Sequence, residues 1–185
     1  MENQLFTFTV FSENQVGLLN QISIIFPRRC LNIESLSVSP SSIKGVSKFT
    51  ITCYGDRPIM ERVVKQIEKR IDVIKAYLYT DDEIVYQEIA LYKVPTPALL
   101  DDRSVEEIIR RYNARILEIT REYVILEKTG HQDETEALFN ELEKYDISQF
   151  VRSGRVAVTK SPRELLSMYL EEQELRKSRS NQCQA

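Results

Sequence analysis

The chain has 185 residues, of which 42% are hydrophobic and 29% charged, with a net charge of −3 and a pI near 5.4. That balance is ordinary for a folded protein of one large or two small domains, and it argues against general electrostatic attraction to nucleic acid or anionic membrane. No apolar run approaches the roughly 20 residues of a spanning helix. Met1, Glu2, Asn3 and Gln4 lead straight into a strand-like segment without the basic start of a signal peptide, so a cytoplasmic location is expected. Cys30, Cys53 and Cys183 are widely spaced, which fits neither a disulfide framework nor a CxxC site; free thiols in a reducing compartment are expected.

In chain order, Phe6, Phe8 and Val10 alternate with Thr7 and Thr9, the pattern of a half-buried strand. A polar loop, Ser12-Glu13-Asn14-Gln15, leads to Gly17. Leu19, Ile22 and Phe26 then recur at helical spacing, with Leu18 and Ile25 beside them. Leu36 and Val38 alternate with serines in a second strand. In a third, Phe49, Ile51 and Cys53 face one way and Lys48, Thr50 and Thr52 the other. Met60, Val63, Val64, Ile67 and Ile71 stand at i, i+3, i+4, i+7 and i+11, an amphipathic helix, and Ile74, Ala76 and Leu78 make a fourth strand. The order β-α-β-β-α-β is the ferredoxin-like plan, expected over residues 1–81.

The acidic run Asp81-Asp82-Glu83 reads as a linker, after which the plan repeats over 82–160. Ile84 to Val94 is strand-like. Ser104 and Glu107 form a capping box before a helix bearing Val105, Ile108, Ile109 and Tyr112. Ala114 to Thr120 and Tyr123 to Lys128 read as a strand pair. Asp133 and Glu136 cap a helix carrying Leu138, Leu142 and Tyr145. Phe150 to Thr159 reads as one closing strand with a bulge at Ser153-Gly154. Over 161–185, Ser161-Pro162-Arg163-Glu164 opens a terminal helix, with Leu166, Tyr169 and Leu170 on one face and disorder expected beyond about Arg176. The fold class expected is α+β: two ferredoxin-like domains and a C-terminal helix.

Candidates for chemistry are few. The single histidine, His131, has no second His or Cys nearby and reads as a surface-loop residue. Asp81-Asp82 and Asp101-Asp102 read as solvated linkers and helix starts rather than Mg²⁺ ligands, and no GxGxxG or Walker pattern occurs. The aromatic RNP1 pattern of RNA-binding ferredoxin-like modules is missing too. No catalytic residue and no metal ligand is assigned. One loop is site-like: unpaired backbone N–H groups at the helix start after Asn14, Gln15, Val16 and Gly17 suit an anion, and Gly17 admits a close approach. From these residues alone, Asn14 as an N-cap and Gly17 as a turn residue is the plainer reading.

A resemblance changes that balance. Glu13-Asn14-Gln15-Val16-Gly17-Leu18-Leu19, then Phe26, Arg29 and Asn32-Ile33-Glu34-Ser35-Leu36, resembles the ACT domain of acetohydroxyacid (acetolactate) synthase small subunits, whose pattern is close to E-N-x-x-G-x-L, F-x-x-R-G-Y and N-I-E-S-L. The N-I-E-S-L run is the most specific part. Gln87-Glu88-Ile89-Ala90-Leu91-Tyr92-Lys93-Val94 and Val151-Arg152-Ser153-Gly154-Arg155-Val156-Ala157 are similar to later strands of that family, so the resemblance spans about residues 4 to 160.

The resemblance implies a non-catalytic regulatory subunit. Such a chain binds a large catalytic partner that condenses two 2-ketoacids in valine, leucine and isoleucine synthesis, raises its activity, and confers feedback inhibition, usually by valine. Thiamine diphosphate, Mg²⁺ and FAD belong to the partner, and none to this chain. It also implies a homodimer through the ACT domains, with a small-molecule amino-acid effector between them, held by Asn14, Gln15, Val16, Gly17 and Leu18 of one chain and Asn32 and Ile33 of the other. This chain departs from the pattern at Cys30-Leu31, where family members carry Gly and an aromatic; a glycine there at positive φ would leave Cys30 strained. The alternative function is a stand-alone ACT-type sensor controlling another enzyme or transcription, though no helix-turn-helix or basic arm supports the latter.

Overall fold

The computed structural model of the chain describes residues 4–97, 103–163 and 165–182. The readings of Asp101, Asp102, Glu164, Cys183 and the side chain of Ser104 lie outside the described residues. Contacts divide the chain into two compact units, 1–85 with 157–185, and 86–156.

In the first unit, the elements are β1 (Gln4–Glu13), α1 (Leu18–Ser23), β2 (Ser35–Pro40), β3 (Val46–Gly55), α2 (Arg57–Ile67) and β4 (Val73–Tyr79). They form the expected antiparallel ferredoxin-like sheet in the order β2-β3-β1-β4. Phe6, Phe8 and Val10 of β1 and Phe49, Ile51 and Cys53 of β3 pack with Met60, Val63 and Ile67 of α2 in one core. Full burial of such side chains contributes about 1.5–3 kcal/mol each.

Three expectations change here. The helical stripe uses Leu18, Ile22 and Ile25, all buried, while Leu19 is 44% exposed. Val38 and Ile71 point to solvent as well, at 47% and 99% exposure. The first helix is also short: α1 ends at Ser23, and a 3₁₀ turn, Pro27–Arg29, carries the chain on. Pro27 has no N–H and its ring clashes with a preceding helical turn, so a continuous helix cannot run through it.

The face of this sheet expected to be polar and exposed is covered. Thr7, Thr9, Thr50 and Thr52 are buried beside Phe11. The cover comes from far along the chain: Lys48 Nζ donates to the Ala157 carbonyl at 2.6 Å, and Tyr77 Oη to the Leu165 carbonyl at 3.0 Å. The terminal helix α5 (Leu165–Gln182) seats Leu166 with no exposure. The stretch after Ala157, read from sequence as the end of the second domain and a tail, therefore packs with the first unit. The helix also continues to Gln182 rather than dissolving after Arg176. Its Glu, Gln, Leu, Arg and Lys residues are good helix formers, and Arg176 pairs with Glu172 at 2.6 Å one turn away.

The second unit repeats the plan with β5 (Ile84–Pro95), α3 (Arg103–Arg111), β6 (Arg115–Ile119), β7 (Tyr123–Gly130), α4 (Gln132–Leu142) and β8 (Gln149–Arg152), in the matching order β6-β7-β5-β8. Its core gathers Ala90, Tyr92, Val94, Val105, Ile108, Val124, Leu126, Leu138 and Leu142. Here too the sequence misplaced details. The N-cap of α4 is His131, not Asp133, and the Glu134 carboxylate accepts the His131 N–H at 2.8 Å. His131 also packs edge-on against Tyr86, with ring centroids 4.5 Å apart. The closing strand is two strands, β8 and β9 (Val156–Thr159), both paired with β5. Between them Ser153 Oγ takes the Ile89 N–H at 2.9 Å, and Arg155 turns inward to Glu88 at 3.5 Å. Arg155 also lies over the Tyr86 ring, 3.7 Å from its centroid. A buried arginine so held interrupts the ladder where a simple bulge was expected.

Candidate functional site

The loop from Asn14 to Gly17 leaves the end of β1 and is tied down from two sides. The Glu13 N–H donates to the Asp72 carbonyl at 2.9 Å, and the Asn14 N–H to the Gly45 carbonyl at 3.0 Å. Beyond these anchors Asn14, Gln15, Val16 and Gly17 are exposed, Val16 completely, while Leu18 is buried in the core. Gly17, not Asn14, is the N-cap residue of α1, and no side chain caps the helix. Its φ of 85° lies in the left-handed region, where a Cβ is costly, and the space beside its Cα is open. The first bond of the helix is Gln21 N–H to the Gly17 carbonyl at 3.3 Å, so the amides of Leu18, Leu19 and Asn20 have no acceptor within it. At six residues, α1 has too little dipole to hold an anion by itself.

Asn32 and Ile33 lie elsewhere. Asn32 is exposed, its Nδ2 donating to Glu34 Oε1 at 2.8 Å, and Ile33 is half-buried against the core. The Glu34 N–H joins the sheet by donating to the Thr52 carbonyl at 2.9 Å. Register fixes the separation: Ser35 pairs with Thr52, Thr52 with Thr7, and Glu13 is six residues further along β1. At about 3.4 Å per residue, the two halves stand roughly 20 Å apart in one chain. A single chain does not bring them together. Cys30 follows the 3₁₀ turn at φ 57°, so the backbone at this position is left-handed and the strain expected of a non-glycine residue is present. The anchors at Gly45 and Asp72 were not legible in sequence, since neither carries a side-chain signal for backbone acceptance.

Two family models match the chain. One, described as an AHAS small subunit-like ACT domain, covers residues 8–75; the other, the small subunit of acetolactate synthase, covers 87–161. The acetolactate synthase small subunit of Mycolicibacterium smegmatis is 34% identical over 157 residues, 85% of this chain and 92% of that protein. The chain belongs to the acetolactate synthase small-subunit family. The small subunit of Bacillus subtilis is 32% identical over 166 residues, covering 89% of this chain and 94% of its own length. The crystal structure of the Thermotoga maritima acetolactate synthase small subunit superposes with a TM-score of 0.78 at 26% identity, over 86% of this chain and 99% of that one. Family membership makes this a small, regulatory type of chain whose counterpart is a catalytic large subunit. Helix α5 starts beyond residue 161, the last that the family models match. Among the described residues no helix is long and apolar enough to cross a membrane.

Proposed function

We propose that this chain activates the thiamine-diphosphate-dependent catalytic subunit of acetohydroxyacid synthase and makes it subject to feedback inhibition by a branched-chain amino acid, valine in the first place. On this reading thiamine diphosphate, Mg²⁺ and FAD stay with the catalytic subunit, and this chain contributes binding and regulation. The effector is held between the ACT domains of two copies, by Asn14, Gln15, Val16, Gly17 and Leu18 of one and Asn32 and Ile33 of the other.

The observation that carries this reading is the register of β2. It is an edge strand, with one row of backbone groups unpaired in the single chain, and edges of that kind template pairing with another chain. Pairing β2 antiparallel with its own copy sets the partner's Ser35 opposite Pro40. Pro40 is level with Ser47, and Ser47 with Ser12, at the root of the Asn14 loop. The roughly 20 Å offset along the strands within one chain is thereby removed across the two-fold axis, leaving about three strand spacings, roughly 14 Å, for the loop and the effector to span. The open space at Gly17, the free amides after it and the exposed Val16 supply room, donors for a carboxylate, and an apolar wall.

The test is complementation between two broken chains. Gly17→Asp places a negative charge beside the effector carboxylate; like charges about 4 Å apart cost on the order of 1–4 kcal/mol, a tenfold or greater loss of affinity. Gly17→Asn carries the same left-handed strain without the charge and serves as its control. Asn32→Ala removes the donor from the other half. Each defective homodimer should bind valine poorly by calorimetry, while a mixture allowed to exchange subunits should recover about one quarter of the wild-type sites, because each mixed dimer has one intact site. No recovery despite demonstrated exchange would place both residues in one chain's site, or in none.

A further inference from the structure

The first unit carries a concavity whose lining includes no residue of the Asn14 loop. It has a volume of about 500 Å³ and is lined by Ile25, Arg28, Arg29, Gln66, Lys69 and Arg70. Four of the six side chains are cations and none is a carboxylate, in a chain whose net charge is −3. The cluster is assembled from two segments: the 3₁₀ turn Pro27–Arg29 brings two arginines, and the residues just past α2 bring Lys69 and Arg70. Arg29 Nε donates to Gln66 Oε1 at 2.8 Å, which ties the two segments and orients the guanidinium. Arg70 Nε is shut off from solvent and has no hydrogen-bond acceptor, the one side-chain atom among the described residues in that condition.

Position at helix C-termini explains why cations are tolerated there, because the carbonyl ends carry partial negative charge. It does not supply an acceptor for the desolvated Arg70 Nε, and buried donors are rarely left without one. Four converging cations also repel one another unless an anion neutralises them.

We propose that this pocket binds a small, multiply charged anion of the phosphate-ester or pyrophosphate class, as a site separate from the amino-acid effector loop. Planar guanidinium forks match the oxygens of a phosphate group, and a ligand of charge near −3 or −4 balances the lining. The pocket's one apolar lining residue, Ile25, is itself buried, so the surface lacks the apolar anchor that a docked protein segment requires.

The probe is inorganic pyrophosphate, titrated by calorimetry into the full chain in phosphate-free buffer at low ionic strength. One site per chain is expected, weakening as salt is raised. Arg28→Ala, at an exposed position, and Arg70→Gln should each reduce affinity about tenfold or more, with Arg28→Ala deciding the matter if Arg70→Gln lowers stability. Arg163→Ala, an exposed arginine outside the pocket, should leave pyrophosphate affinity unchanged. Citrate, similar in charge but with carboxylate geometry, should bind at least tenfold more weakly. Absence of binding at millimolar pyrophosphate, equal affinity in Arg28→Ala, or equal affinity for citrate would each overturn the proposal. Because the isolated chain is titrated without valine or catalytic subunit, such a failure leaves the regulatory reading untouched.

Discussion

At the scale of single residues, two cysteines have opposite situations. Cys30 is exposed and held at φ 57°, where a Cβ crowds the backbone at a cost of roughly 1–2 kcal/mol. Replacing it by the family's glycine relieves that strain, partly offset by the extra freedom glycine has when unfolded, about 0.4–1 kcal/mol. Cys30→Gly should therefore raise the unfolding free energy measured in urea by up to about 1 kcal/mol and Cys30→Ala should not; equal stability of the two would contradict the strain. Cys53 is fully buried, and burial, aided by the Glu34 charge, pushes its thiol from 9.0 up to about 11. The folded state thus favours the neutral thiol. Its contribution is intact below about pH 9, where the unfolded thiol is also protonated, and is lost as pH rises toward 11. Urea unfolding at pH 8 and pH 10 should show wild type losing about 1 kcal/mol more than Cys53→Ala over that interval. Tyr77 and Tyr79, both pushed up to about 12, add to the loss mainly at higher pH. An equal loss in both proteins would remove Cys53 from the alkaline response.

At the scale of elements, α5 is the part most in need of a role, since it lies past the family match and yet buries Leu166 completely in the first unit. Leu166→Ala should cost about 2–5 kcal/mol. Hydrogen exchange should then rise in β1 and β3 while β7 keeps its protection; unchanged protection in β1 and β3 would mean that α5 only rests on the sheet. Such covers are what a single sequence hides. The alternation of Phe6, Phe8 and Val10 with threonines, and the spacing of Met60, Val63 and Ile67, made the helix-side core legible, because those signals are local. Burial of Thr50 and Thr52 was not legible: threonine suits either face of a strand, and the covering contacts, such as Lys48 to Ala157, come from 109 residues away. For the same reason Arg155, read as part of a plain strand, was missed as the buried partner of Glu88. In the candidate site, the residues were nameable from motif resemblance, whereas the left-handed Gly17 and the anchors at Gly45 and Asp72 depend on tertiary register. The Arg28–Arg70 pocket joins segments about forty residues apart, and no local pattern marks that meeting.

At the scale of the whole molecule, both units share one strand order and both match the acetolactate synthase small-subunit family, so the chain as a unit is the regulatory type of subunit. A regulatory chain acts through differential affinity: the effector must bind one state of the assembly better than another, and the coupling is typically about 1–3 kcal/mol, a 5- to 150-fold change. The most direct measurement is acetolactate formation from pyruvate by the purified catalytic subunit of the same organism, with and without this chain, across a valine titration. The chain alone should show no turnover, the rate should rise several-fold when it joins the catalytic subunit, and that rise should be lost as valine is added. With Gly17→Asp in its place, the rise should persist and the response to valine should vanish. A rate that is the same with and without the chain at zero valine would contradict a regulatory role for it.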